Sequence, residues 1–123
     1  MWVHAPCAGR SAVMGAKSRR KGAAGELEVV HLLREHGLQA ERGYHQARGG
    51  DEAPDVPTNL PAWIEVKRQA RPNIPAAVAQ AQRERGERPV WAVAFTRSDR
   101  GEWLVTMTAD EWCDLVVEWV AGR

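Results

Sequence analysis

The sequence predicts an α/β (α+β) fold in which a central mixed β-sheet is flanked by helices, in the order α-β-β-β-α-β-β-α. Three observations predict it. Apolar residues recur at helical spacing from Gly22 to His36 and stop at Gly37. The segments AWIEVK and PVWAVAFT read as strands, and Thr108-Ala109-Asp110-Glu111 forms a Thr-x-x-Glu capping box before a last helical pattern. A chain of 123 residues has the size of one domain.

Residues 1–20 are expected to be a flexible basic N-terminal extension, and residues 21–123 the folded domain. Residues 1–13 show no helical or strand period, and Met14 offers a second plausible start. In the first helix, placing residues at 100° intervals gathers Ala23, Val29, Val30 and Leu33 in one arc, with Leu27 on its border. Glu26 falls in the middle of that arc, whereas Glu28, Arg34 and Glu35 fall outside it, as solvated charges do. A carboxylate centred on an apolar face is costly unless a charge or a hydrogen bond meets it there.

A strand is expected over Leu38–Tyr44, followed by a loop carrying Arg48-Gly49-Gly50-Asp51. Asp55-Val56, bracketed by Pro54 and Pro57, suits a turn or a brief strand end. Over Ala62–Lys67, period two puts Ile64 and Val66 on one face and Trp63, Glu65 and Lys67 on the other. Asn73–Arg85 reads as a helix, with Pro75 in its first turn and Gly86 as its stop. Pro89–Thr96 reads as an interior strand. A turn at Ser98-Asp99-Arg100-Gly101 then leads into Glu102–Met107, a hairpin.

In the last helix Trp112, Leu115, Val116 and Trp119 form the expected buried stripe, and Cys113 is expected as a small packed residue. Trp63, Trp91, Trp103, Trp112 and Trp119 are assigned to the core, base stacking by Trp63 being the minority reading. Cys7 and Cys113 lack the spacing of a zinc site or a disulfide framework. They read as reduced thiols in a cytoplasmic protein. No apolar run has the length of a membrane span.

The formal charge of +1 hides an uneven distribution. Residues 1–50 carry eight basic and four acidic side chains, residues 51–97 seven and six, and residues 98–123 two and six. The blocks are therefore +4, +1 and −4. Lys17-Ser18-Arg19-Arg20-Lys21 concentrates the positive charge, and arginine outnumbers lysine 14 to 3. Arginine's planar fork suits phosphate, so an anionic partner and a merely solvated basic N-terminus both stand as readings.

Glu26, Asp55, Glu65 and Lys67 carry the chemistry of interest. Two adjacent carboxylates repel unless a hard cation lies between them, and magnesium prefers such oxygen ligands. A lysine beside them orients water or offsets charge developing on phosphorus. Singly, each has an ordinary explanation: a surface ion pair for Glu-x-Lys, a turn for Pro-Asp, a misjudged helix face for Glu26. Together they form a more specific pattern, an inward helix carboxylate, then Pro-Asp, nine residues, and Glu-Val-Lys on an apolar strand.

This pattern resembles the Pro-Asp…(Asp/Glu)-x-Lys nuclease superfamily and, within it, the Holliday junction resolvase-like endonucleases of archaea and phages. The resemblance runs from about Lys17 to Thr108, through RRKGAAGELEVVHLLREHG, ARGGDEAPDV, AWIEVKRQ, AVAQAQ and PVWAVAFTRSDRGEWLVTM. It implies a restriction-endonuclease-like core. It also implies that Asp55, Glu65 and the backbone carbonyl of Val66 hold Mg²⁺ or Mn²⁺, with Glu26 completing the acidic cluster directly or through water. Lys67 would stand by the attacking water. Gln80 would brace Lys67 or a phosphate, or else be a plain polar helix residue. Asp51 is a rival metal ligand to Asp55.

The implied activity is metal-dependent hydrolysis of a DNA phosphodiester, selective for DNA structure. Lys17, Arg19, Arg20, Lys21, Arg42, Arg48, Arg68 and Arg71 are the candidate backbone contacts. Symmetric cutting of two strands would call for a homodimer, with the hairpin and last helix as dimer material. Three alternatives stand beside it: a nicking, repair or restriction-like nuclease of the same fold, a non-catalytic DNA-binding module, and a structural protein with accidental acids.

Overall fold

The computed structural model describes residues 8–43 and 53–123, with side chains from Arg19 onward. Helix α1 spans Ala8–Glu35. It starts well ahead of the expected Gly22, so residues 8–20 are helical rather than an irregular extension. The stretch AGRSAVMGAKSRR holds no proline and is rich in alanine and straight-chain residues, which favours helix despite the absence of an apolar period. The helix ends as its C′ glycine requires. Gly37 sits at φ +82°, Leu38 N–H donates to Leu33 C=O at 3.0 Å, and Gly37 N–H donates to Arg34 C=O at 3.0 Å.

The strand expected over Leu38–Tyr44 is absent from the described part of that segment. Residues 39–43 instead run as a narrow ribbon against residues 55–59. Among the described residues it is held by one bridge, Ala40 to Thr58, and by bonds from Asn59 N–H to Gln39 C=O at 3.2 Å, from Glu41 N–H to Pro57 C=O at 3.1 Å and from Gly43 N–H to Asp55 C=O at 3.0 Å. Pro57 has no N–H to return a bond, which stops the ladder from extending.

Strand β1 (Ala62–Arg68) lies parallel to β2 (Trp91–Arg97), and α2 (Ile74–Arg85) is the crossover between them. Strand β3 (Leu104–Thr106) pairs antiparallel with β2, giving the sheet order β1-β2-β3. The observed order is α-β-α-β-β-α. It matches the expected mixed sheet flanked by helices, without the two short strands expected before Ala62. Ile64, Val66, Val93 and Phe95 face α1 through Val29, Val30 and Leu33. On the other sheet face, Ala77, Val78 and Ala81 of α2 pack among Trp63, Ala92 and Ala94.

Helix α3 (Ala109–Ala121) is capped by Thr108, whose side chain accepts the Glu111 N–H. Its expected buried stripe is not there. No α3 residue is buried; Trp112 and Trp119 are 55% and 59% exposed, and Cys113 is exposed too. A polar contact orients this helix instead: Glu111 Oε1 accepts from Ala92 N–H at 2.9 Å and from Arg85 Nη1 at 2.7 Å. Of the five tryptophans assigned to the core, Trp63 is buried and Trp91 and Trp103 are half-buried. No helix among the described residues is long and apolar enough to cross a membrane.

Candidate functional site

The site is built on the free edge of β1 and the sheet face under α2. In a strand, a residue's N–H and C=O leave on the same side, and successive residues alternate. Asp55 docks on the edge presented by Ile64 and Val66: its N–H donates to Ile64 C=O at 3.0 Å, and its Oδ2 accepts Val66 N–H at 2.8 Å. Val66 C=O leaves on that same edge. Glycine makes the approach from the far side feasible. A Cβ on Gly43 would lie 2.6 Å from the Pro54 carbonyl oxygen, so a side chain there would push the Pro-Asp segment off its place.

Glu65 points the other way, onto the α2 face, and is 1% exposed. Trp63 Nε1 donates to its Oε2 at 3.0 Å and Gln80 Nε2 to its Oε1 at 3.3 Å, while Gln80 also donates to Glu84 Oε2 at 2.8 Å. Burial first, then the charge of Asp55, then a hydrogen bond and charge from Glu84 push the Glu65 carboxyl up to about 9; the Trp63 bond opposes them. Lys67 lies one step further along the same face, level with Thr96 of β2. Thr96 is 1% exposed, and its hydroxyl finds no partner among the described residues.

Glu26 is buried, as the helical arc requires, and is met by Arg42 Nε at 3.0 Å. Arg42 is followed by Gly43, whose N–H donates to the Asp55 carbonyl oxygen at 3.0 Å. Among the described residues no group of three or more His, Cys, Asp or Glu stands together as metal ligands, so Glu26 does not join Asp55 and Glu65 in such a cluster. Gln80 braces Glu65, not Lys67. Asp51 and Arg48 lie outside the described residues, as does the side chain of Lys17.

Three of the expected DNA-contacting cations are engaged within the protein: Lys21 with Asp99 at 2.9 Å, Arg42 with Glu26, and Arg68 with Glu28 at 2.8 Å. Arg19, Arg20 and Arg71 are exposed. The sequence reading missed two groups. Glu28, expected in solvent, collects Arg68, Arg97 and Trp103 Nε1 from elements remote in sequence, and nothing local signals that. Glu84 was legible in principle, because it lies four residues from Gln80 and thus on the same helix face.

No protein-family model matches the chain, and no similar chain is found among the curated proteins or the solved structures compared with it.

Proposed function

We propose that the chain is a metal-dependent endodeoxyribonuclease of the Pro-Asp…(Asp/Glu)-x-Lys kind, with a restriction-endonuclease-like core and selectivity for branched DNA of the Holliday junction type. One observation carries the reading. Asp55 and Glu65 lie close enough for the charge of one to raise the pKa of the other, with Lys67 on the face of Glu65 and a backbone carbonyl on the edge of Asp55.

The donor set fits a hard divalent cation: two carboxylates and a carbonyl, all oxygen, with a repulsion that a cation would relieve. Asp55, Glu65 and Val66 C=O would hold Mg²⁺ or Mn²⁺, which when bound would supply Lewis-acid stabilisation of charge on a phosphate oxygen. Trp63 and Gln80 fix the Glu65 carboxyl, as second partners of a ligating carboxylate do. Lys67 orients the attacking water and offsets negative charge on phosphorus. Water adds to phosphorus as the bond to the 3′ oxygen breaks, leaving a 5′-phosphate and a 3′-hydroxyl. Cutting of two opposed strands would use a homodimer, and the exposed thiol of Cys113 suits a reducing cytoplasm.

The test is cleavage of four-way junctions, forks, single strands and linear duplexes with Mg²⁺ or with chelator. Junctions are expected to be cut in Mg²⁺ alone. Asp55→Ala and Glu65→Ala are each expected to lose at least about 10²-fold in rate while still binding DNA. Normal cutting by both variants would place the chemistry elsewhere, and no cutting of any substrate by the parent would leave a DNA-binding module.

A further inference from the structure

We infer that Thr96 is a positioning residue for Lys67, its hydroxyl accepting one N–H of the Lys67 ammonium and fixing where that ammonium stands. Strand β2 presents Ala92, Ala94 and Thr96 to the α2 side of the sheet, so a polar group follows two alanines there. Thr96 is 1% exposed, and its Oγ1 has no hydrogen-bond partner among the described residues. Burying a hydroxyl is costly unless it is bonded, and valine has the same shape and strand preference without that cost. A hydroxyl kept at such a place calls for a partner.

The surroundings of Thr96 leave one. Strand β1 sets Lys67 directly beside it, and β3 sets Leu104 on the other side. Ala94 precedes it on the same face, under Ala77 and Val78 of α2. The polar side chains further along are committed. Trp63 gives its one N–H to Glu65, Gln80 gives its amide to Glu65 and Glu84, and Glu65 accepts from both. Lys67 is different, because no hydrogen bond or ion pair joins its ammonium to a described residue. A donor with bonds to give therefore stands at the register position of an acceptor with none. The two are not bonded in this structure. Neighbouring strands lie about 4.8 Å apart, well within the reach of a lysine side chain, so a change of rotamer along the Lys67 stem joins them.

An anchored lysine loses most of the freedom of its flexible stem before substrate arrives. One N–H of the ammonium then rests on Thr96, and two remain for the attacking water and the phosphate. What the ammonium does there rests on the nuclease reading, whereas its tie to Thr96 does not. The Thr96 hydroxyl itself touches no substrate, because it is fully enclosed.

The test has two arms. In the first, the full chain is labelled with ¹³C and ¹⁵N at lysine and followed by NMR without DNA or metal. The chain has three lysines, Lys17, Lys21 and Lys67, and Lys67→Arg identifies the signal of interest. The Lys67 side chain is expected to be restricted in the parent and in Thr96→Ser, and mobile in Thr96→Val. Equal mobility in all three overturns the inference, whether or not the chain cuts DNA. In the second arm, branched DNA is cleaved in Mg²⁺. Thr96→Val is expected to lower kcat at least about tenfold with KM within about twofold, and Thr96→Ser to recover most of the loss. Denaturant unfolding of Thr96→Val is expected to stay close to the parent's, because the shape is kept and the half-buried Lys67 reaches water instead. A Thr96→Val chain that is destabilised yet cuts at the parental rate would show that the hydroxyl serves the fold alone, and overturns the inference. A parent that cuts nothing removes the nuclease reading, and the mobility of Lys67 then decides the tie to Thr96 by itself.

Discussion

A carboxyl that is 1% exposed, faces the charge of Asp55 and is bonded to Glu84 keeps its proton to about pH 9, and Glu65 is that carboxyl. The unfolded chain releases the same proton near 4.5, so between the two values the folded state binds one proton more. Glu65 therefore contributes stability that is full below 4.5 and is lost as the pH rises towards about 9. Glu111 runs the opposite way: burial would raise it, but the Ala92 N–H, Gln82 and Arg85 together hold it below the usual range. Its contribution is present above the ordinary carboxylate value and is lost as the solution turns acid. The two groups act in separate windows. In chelator, the unfolding free energy is expected to fall between about pH 5 and about pH 9 by on the order of a few kcal/mol. Glu65→Gln, which keeps the shape and an acceptor for Trp63, should flatten that decline. Denaturant titrations across the range check this, and a parent profile as flat as the variant's would mean that Glu65 ionises without penalty.

At the level of elements, α3 is held by one inward carboxylate where an apolar stripe was expected. Removing Glu111 leaves the Ala92 N–H without its acceptor and Arg85 without its carboxylate, with only the Val90 carbonyl to accept from it, so Glu111→Ala is expected to cost about 3 kcal/mol. Thr108→Ala removes a cap bond alone and should cost about 1 kcal/mol. Chemical denaturation orders the two, and equal losses would show that the cap and not the anchor holds the helix. The Thr-x-x-Glu box located this helix start, yet Glu111 is spent on Arg85 and Ala92, residues that no local window contains. The same division holds elsewhere. Period two placed Trp63, Glu65 and Lys67 on one sheet face, Gly37 and Gly86 marked helix ends, and the helical arc identified Glu26 as inward. All of these are local signals. What escaped was non-local: the pairing of Glu28 with Arg68 and Arg97, the docking of Asp55 on the β1 edge, and the outward turn of Trp112 and Trp119. The strand expected over Leu38–Tyr44 failed for a related reason, since its fate depended on Pro57 opposite.

Across the whole molecule, the distribution of charge decides which cations are at liberty to meet a polyanion. Lys21, Arg42 and Arg68 are held by Asp99, Glu26 and Glu28, and Arg97 adds a second cation to Glu28. Arg19, Arg20 and Arg71 are exposed. On the proposed DNA-binding reading, the exposed group supplies phosphate contacts and the engaged group holds α1 against the ribbon and the sheet. Each phosphate contact on duplex DNA contributes about −0.9 to the slope of log affinity against log salt. Arg19→Ala, Arg20→Ala and Arg71→Ala are therefore each expected to reduce the magnitude of that slope by about 0.9, with little change in melting temperature. Arg42→Ala and Arg68→Ala should leave the slope unchanged and lower the melting temperature, because each takes a partner from a carboxylate that is largely or partly buried. Binding measured across a salt series for the five variants separates the groups. Equal slope changes in all five would mean that the internal pairs exchange their carboxylates for DNA phosphates, making the folded network itself part of the binding surface.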